Sequence, residues 1–164
     1  MAILEIKKFG NPVLRKRSVS VDRITREVKK LIVDMVQTME KGNGIGLAAP
    51  QVGVNKRIVV IKTGIEGQEF FELINPKILK KSNDLVLGEE GCLSFPDVFI
   101  NIRRPKEIEV EGQDISGKKI ELTAKGLLAR VLCHEIDHLN GVLFFDRLSF
   151  FQKLKFKLFH RSPV

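Results

Sequence analysis

Residues 25–41, TREVKKLIVDMVQTMEK, place Val28, Leu31, Ile32, Met35, Val36 and Met39 at spacings of three and four. That rhythm predicts an amphipathic helix, stopped by the GNGIG run that follows. The middle of the chain changes period. RIVVIK (57–62), FFELIN (70–75) and KILKKS (77–82) read as strands, with Pro76 separating the last two. EIEVEG (107–112) and KKIELTA (118–124) alternate cleanly and are joined by QDISG, which predicts a hairpin. Helical spacing returns in GLLARVLCHEIDHL (126–139), with Asn140-Gly141 as its stop. Ser149 and Gln152 make a capping-box pattern ahead of a short Phe- and Lys-rich helix over about 150–160. Helix, many strands, helix is the order of an α+β fold with antiparallel sheet, not of alternating βαβ units.

The 164 residues suit a single domain, 1–164, whose last turns form the short basic helix. There are 11 Phe but no Tyr and no Trp, so no tyrosine hydroxyl is available for catalysis. The net charge of +8 favours a polyanionic neighbour. No apolar run reaches the length of a signal-peptide core or a membrane span, so the expected location is the cytoplasm. Thiols stay reduced there. Cys92 and Cys133 are then free to be ligands or small hydrophobes.

The stretch CHEIDH at 133–138 changes the picture. Leu127, Val131, His134 and His138 share one helical stripe, so two imidazoles stand where core residues belong. Buried imidazoles need partners, and one divalent metal serves both. The H-E-x-x-H pattern also requires a general base, which Glu135 provides. A catalytic site of this kind takes three protein ligands and keeps one position open. No Glu follows Glu135, and the extended form of the motif would put a ligand at Phe144. Asp146 and His160 are candidates with awkward placement. Cys133 points about 100° away from His134 around the helix, which suits core packing. Cys92 lies in GEEGCLSFP, where glycines and Pro96 mark a turn or strand edge. On this stretch alone it is equally a ligand or a core cysteine. GNGIGLAAPQVG (42–53) echoes a dinucleotide fingerprint but follows a helix, so cleft-lining backbone beside Gln51 is the better reading.

Three separated stretches, GIGLAAPQVG, EGCLSFP and HEIDHLNG, together resemble the bacterial peptide deformylases, matching the G-x-G-L-A-A-x-Q, E-G-C-L-S and H-E-x-D-H motifs in order. The resemblance runs from NPVLR to LFFDRLS. It implies antiparallel sheets packed around a central metal-binding helix. It also implies an amidohydrolase that removes formyl from the first methionine of newly made polypeptides. The implied ligands are Cys92, His134 and His138, around one divalent ion. Iron(II) is the common metal of the family, with zinc, nickel or cobalt accommodated. Glu135 would move the protons, and Gln51 with the Leu93 N–H would meet the oxyanion. Glu90 is expected to orient a ligand histidine, and Asp137 to pair with Arg104. For the substrate, Gly44 and Gly46 offer backbone, while Ile45, Leu127, Val131 and the aliphatic stem of Arg130 offer a methionine pocket. Cys133 stands where the family often has Gln, and Phe99 where some members carry Arg; both bear on substrate tuning. The nascent-chain substrate makes ribosomal RNA the expected partner of Lys153, Lys155, Lys157 and Arg161, with Phe150, Phe151, Leu154 and Leu158 packed on the body. Neither DNA nor a membrane is an expected partner.

Overall fold

A computed structural model describes residues 2–65, 68–150 and 152–153. Among these residues the named helices α1 (Arg26–Lys41) and α2 (Gly126–Leu139) and seven strands follow one another in the order α1, β1 to β7, α2. The strands are β1 (Gly46–Ala48), β2 (Ile58–Ile65), β3 (Gln68–Lys81), β4 (Leu85–Cys92), β5 (Phe95–Pro105), β6 (Glu107–Gln113) and β7 (Lys119–Lys125). Five of them form an antiparallel sheet in the order β1-β2-β3-β6-β7, and β4 and β5 form a separate two-stranded ribbon.

The uninterrupted apolar run in β2 has a simple cause. Both faces of the sheet are covered there. Ile58 and Val60 pack with Ile32, Met35 and Met39 of α1. Val59 and Ile61 pack with Leu132, Cys133, Ile136 and Leu139 of α2. Helix α2 is accordingly buried at every residue from 131 to 139. One of its faces meets the sheet, and the other carries His134, Glu135 and His138.

Thr25 caps α1, accepting from the Val28 N–H at 3.5 Å. The predicted hairpin is present as β6 and β7, with Ile108 and Val110 turned into the core. Strand β3 departs from the expectation, because the two segments split at Pro76 are one strand. A register shift between Ile74 and Lys77 absorbs the missing proline N–H, and Asn75 takes φ 54°. The Asn75 side chain exchanges two hydrogen bonds with the backbone of Val21, at 2.8 and 2.9 Å. The expected end of the chain is met in part. Ser149 N–H donates to Gln152 Oε1 (3.0 Å) and Gln152 N–H to Ser149 Oγ (3.4 Å), so the capping box is formed. Phe150, expected among the packed positions, is 75% exposed. The rest of the expected helix, including Phe151 and everything from 154, lies outside the described residues.

The β4–β5 ribbon was not foreseen as strands. It leaves the sheet after β3 and returns at β6. Its base is pinched by Ser82 N–H to Glu107 O (2.9 Å) and Lys106 N–H to Asp84 O (2.8 Å). Arg130 of α2 fastens it from the side. The guanidinium donates to the carbonyls of Val86 (2.8 Å), Gly88 (3.0 Å) and Ile102 (2.9 Å) and to Glu90 Oε1 (2.8 Å). A Cβ at position 88 would stand 2.7 Å from that guanidinium, so the present clamp geometry uses the space glycine leaves. Arg130→Met should strand several of these acceptors and cost about 1–3 kcal/mol of stability, on the scale of unmade buried hydrogen bonds. Urea unfolding measures it; a midpoint equal to the parent's would show that the clamp holds nothing.

Candidate metal centre and active-site cleft

Three elements meet at one cleft: the β1 strand with the 3-10 turn Ala49–Val52, the tip of the β4–β5 ribbon, and the polar face of α2. The cleft encloses about 620 Å³ and is lined by residues from all three, among them Gly44, Ile45, Gly46, Leu127 and Val131.

At its floor one ligand atom each of Cys92, His134 and His138 lie within 4.8 Å of one another. Cys92 Sγ is 3.2 Å from His138 Nε2. His134 Nδ1 is 3.0 Å from Glu90 Oε2, which leaves its other ring nitrogen to face the cleft. One thiol and two imidazoles, with one ring oriented by a carboxylate, is a donor set that suits a borderline-soft divalent ion. The group can hold one metal ion.

Glu90 is the hub behind this floor. Arg104 donates to both its oxygens, at 2.8 and 2.9 Å, and Arg130 adds a third bond. Burial opposes charge on Glu90, but the hydrogen bonds from Arg104 and His134 outweigh it and bring the carboxyl down to about 2. The expected pairing of Asp137 with Arg104 is present at 2.5 Å. Arg147 closes on Asp137 from the far side, at 2.9 Å through Nε and again through Nη2. No pattern in the sequence pointed to Arg147.

Glu135 is 4% exposed, and its Oε2 has no hydrogen-bond partner among the described residues. Burial, the largest influence, pushes its carboxyl up to about 7, while His134 and Arg104 pull against it. A Cβ at position 46 would stand 2.5 Å from Glu135 Oε1, so the carboxylate closes on β1 only because residue 46 is glycine. Gln51 is 1% exposed. Its Oε1 accepts from Ala48 N–H at 2.8 Å, which turns the amide nitrogen toward Cys92 Sγ (3.5 Å) and Ser94 Oγ (3.4 Å). Ser94 is fully buried and was not singled out, although it stands inside the EGCLS stretch.

Residues 3–154 match the family model described as polypeptide deformylase. The chain belongs to the polypeptide deformylase family. A peptide deformylase from Thermodesulfovibrio yellowstonii is 47% identical over 164 residues, covering 99% of this chain and 97% of that one. One from Halothermothrix orenii is 48% identical over 148 residues, covering 90% and 95%. The crystal structure of a peptide deformylase from Synechococcus elongatus in complex with actinonin superposes with a TM-score of 0.90 at 43% identity, covering 98% and 92%. The Met-Ala-Ser-bound class I type b deformylase from Acinetobacter baumannii has a TM-score of 0.85 at 33% identity, covering 89% and 98%.

Against the deformylase expectations, the described residues place the candidates unevenly. Gly44, Ile45, Gly46, Gln51, Glu90, Cys92, Leu93, Leu127, Arg130, Val131, His134 and Glu135 all border the cleft. Leu127 stands at its mouth, 65% exposed, while Val131 is 7% exposed. Arg130 borders the cleft, and its guanidinium in addition clamps the ribbon carbonyls. Cys133 packs against the sheet in the core, where burial pushes its thiol up. Cys92→Ala should therefore lose stoichiometric metal, and Cys133→Ala should keep it. Elemental analysis of the purified variants measures this; full metal content in Cys92→Ala would remove the proposed ligand set.

Proposed function

We propose that this protein hydrolyses the N-formyl group from the formyl-methionine that begins new polypeptides, releasing formate, and that the chain acts as one catalytic domain. One observation carries the reading: a thiol, two imidazoles, a buried carboxylate and a carboxamide converge on the floor of one cleft. The outer edge of β1 borders that cleft with no partner strand among the described residues, which suits an extended peptide. The A. baumannii neighbour that binds Met-Ala-Ser supports a substrate beginning with methionine.

Cys92, His134 and His138 would hold the metal ion, iron(II) being the first choice and zinc or nickel the alternatives. When bound, such an ion supplies Lewis acidity, which makes water a nucleophile near neutral pH and polarises a carbonyl oxygen. The chain's own residues do the rest. Glu90 fixes the His134 ring through Nδ1. The Glu135 carboxylate takes the proton of the attacking water and passes it to the amine nitrogen as the C–N bond breaks. Formate then carries the formyl carbon away, and the peptide keeps a free α-amine. The Gln51 side-chain amide and the Leu93 N–H donate to the carbonyl oxygen as its charge develops. Backbone of residues 44–46 aligns the peptide, and Ile45, Leu127, Val131 and the stem of Arg130 receive the methionine side chain.

The discriminating experiment compares formyl-Met-Ala-Ser with unformylated Met-Ala-Ser and scores formate release separately from internal cleavage. Formate from the first alone supports the reading; internal cleavage of both peptides overturns it in favour of a metalloprotease. Glu135→Gln should retain its metal and lose at least ~100-fold in turnover, the scale of acid–base catalysis. Turnover within a few-fold of the parent would take the proton-transfer role away from Glu135.

Among the described residues no helix is long and apolar enough to cross a membrane, and we place the protein in the cytoplasm. We assign ribosomal RNA as the partner of the basic tail, on its charge alone. Replacing Lys153, Lys155 and Lys157 by Gln should weaken co-sedimentation with ribosomes and flatten its salt dependence, since each phosphate contact releases counterion. Equal pelleting at every salt concentration would remove the tail from this role.

A further inference from the structure

Residues 2–9 form no strand, yet the segment is tied down along its length. Ala2 N–H donates to Asp34 Oδ1 (2.8 Å) and Leu4 N–H to Thr38 Oγ1 (2.9 Å). Asp34 and Thr38 are 3% and 2% exposed, two polar groups among the buried residues of α1. Beyond them the segment crosses to the cleft. Lys7 N–H donates to Gln51 O (2.7 Å) and Phe9 N–H to Ser94 O (3.0 Å). Between the two, Lys8 Nζ donates to Leu93 O (2.9 Å). The Phe9 ring then stacks on Phe95 at 4.6 Å, beside the ribbon tip.

We propose that residues 7–9 are a strap that sets the spacing of the two oxyanion donors, with Lys8 as a positioning residue. The inference rests on the deformylase reading above. Gln51 belongs to the turn after β1, in the five-stranded sheet, whereas Leu93 belongs to the tip of the separate ribbon. No ladder of backbone bonds joins those sheets. Direct links between the two turns run through the Gln51 amide to Cys92 and Ser94, at 3.5 and 3.4 Å, and both are long. The strap adds three shorter bonds from three consecutive residues. The two carbonyls, Gln51 O and Ser94 O, are thereby tied to donors only two residues apart on one covalent chain. Lys8 holds the carbonyl of the residue whose N–H is the second donor. Its ammonium is exposed, so the bond adds little to global stability. It can still govern rate, because misplacement of a reacting geometry by about 1 Å can cost on the order of 100-fold.

Lys8→Met and Lys8→Arg test this on the metal-loaded chain. Steady-state rates with formyl-Met-Ala-Ser, metal content, thermal midpoint and amide hydrogen exchange over residues 49–53 and 92–96 are read together. Lys8→Met should lower kcat roughly tenfold with KM within about twofold. Metal content and midpoint should stay at the parent's values, and exchange over 92–96 should quicken. Lys8→Arg should restore most of the rate, since it keeps a cationic donor. Parental kcat and parental exchange in Lys8→Met would overturn the proposal. So would a change confined to KM, which marks a ground-state contact with substrate, or a loss of metal, which marks a merely structural role. Should the parent release no formate, the deformylase reading fails first. Hydrogen exchange then decides the strap alone, and unchanged exchange in Lys8→Met rejects it.

Discussion

Glu90 is buried with a negative charge, and most of the site's geometry follows from the groups that must surround it. Arg104 comes from the same ribbon, on β5, while Arg130 and His134 come from α2. Removing one partner from such a buried cluster leaves an uncompensated charge at several kcal/mol, on the order of 3–5. Ribbon and helix therefore dock together or not at all. The same docking sets Cys92, two residues beyond Glu90, against the histidines. The floor of the cleft inherits its precision from a charge that takes no part in the chemistry.

Helix α2 serves two solvents at once. Its sheet-facing residues Leu132, Cys133, Ile136 and Leu139 belong to the apolar cluster between helix and sheet. One face round stand His134, Glu135 and His138, all three buried, the first two bordering the cleft. Buried polar groups survive only where each finds a partner or a task. His134 has Glu90, and Asp137 has Arg104 and Arg147. Among the described residues Glu135 Oε2 and His138 Nδ1 have none, and Glu135, the carboxylate of the two, borders the cleft, where it can act on something bound.

Close approach is the second constraint. The carboxylate of Glu135 reaches β1, and the guanidinium of Arg130 reaches β4, only where a side chain is missing, at Gly46 and Gly88. Gly88 stands in the middle of β4 and Gly46 opens β1, places in a strand where the residue is otherwise unfavourable. Their cost in strand propensity is offset by contacts that no larger residue permits.

Local rhythm determined much of this protein. The 3.6-residue period of residues 25–41 and 126–139, the alternation of 107–112 and 118–124, and the H-E-x-x-H spacing were all legible, because each depends on neighbours a turn or a pleat away. Motif resemblance added the family and the choice of Cys92 over Cys133. The β4–β5 ribbon was not legible. Its outer residues Leu85, Val86 and Leu87 are exposed apolar side chains, its glycines serve contacts from α2, and so no period-two signal survives. Strand β3 was cut at Pro76 because a bulge answered by Asn75 and Val21 leaves no local trace. The guanidinium of Arg130 on three carbonyls, Arg147 on Asp137, and the amino-terminal strap on Gln51 and Ser94 were decided only in three dimensions. Their partners are backbone atoms or residues far along the chain, and a carbonyl oxygen carries no sequence signal.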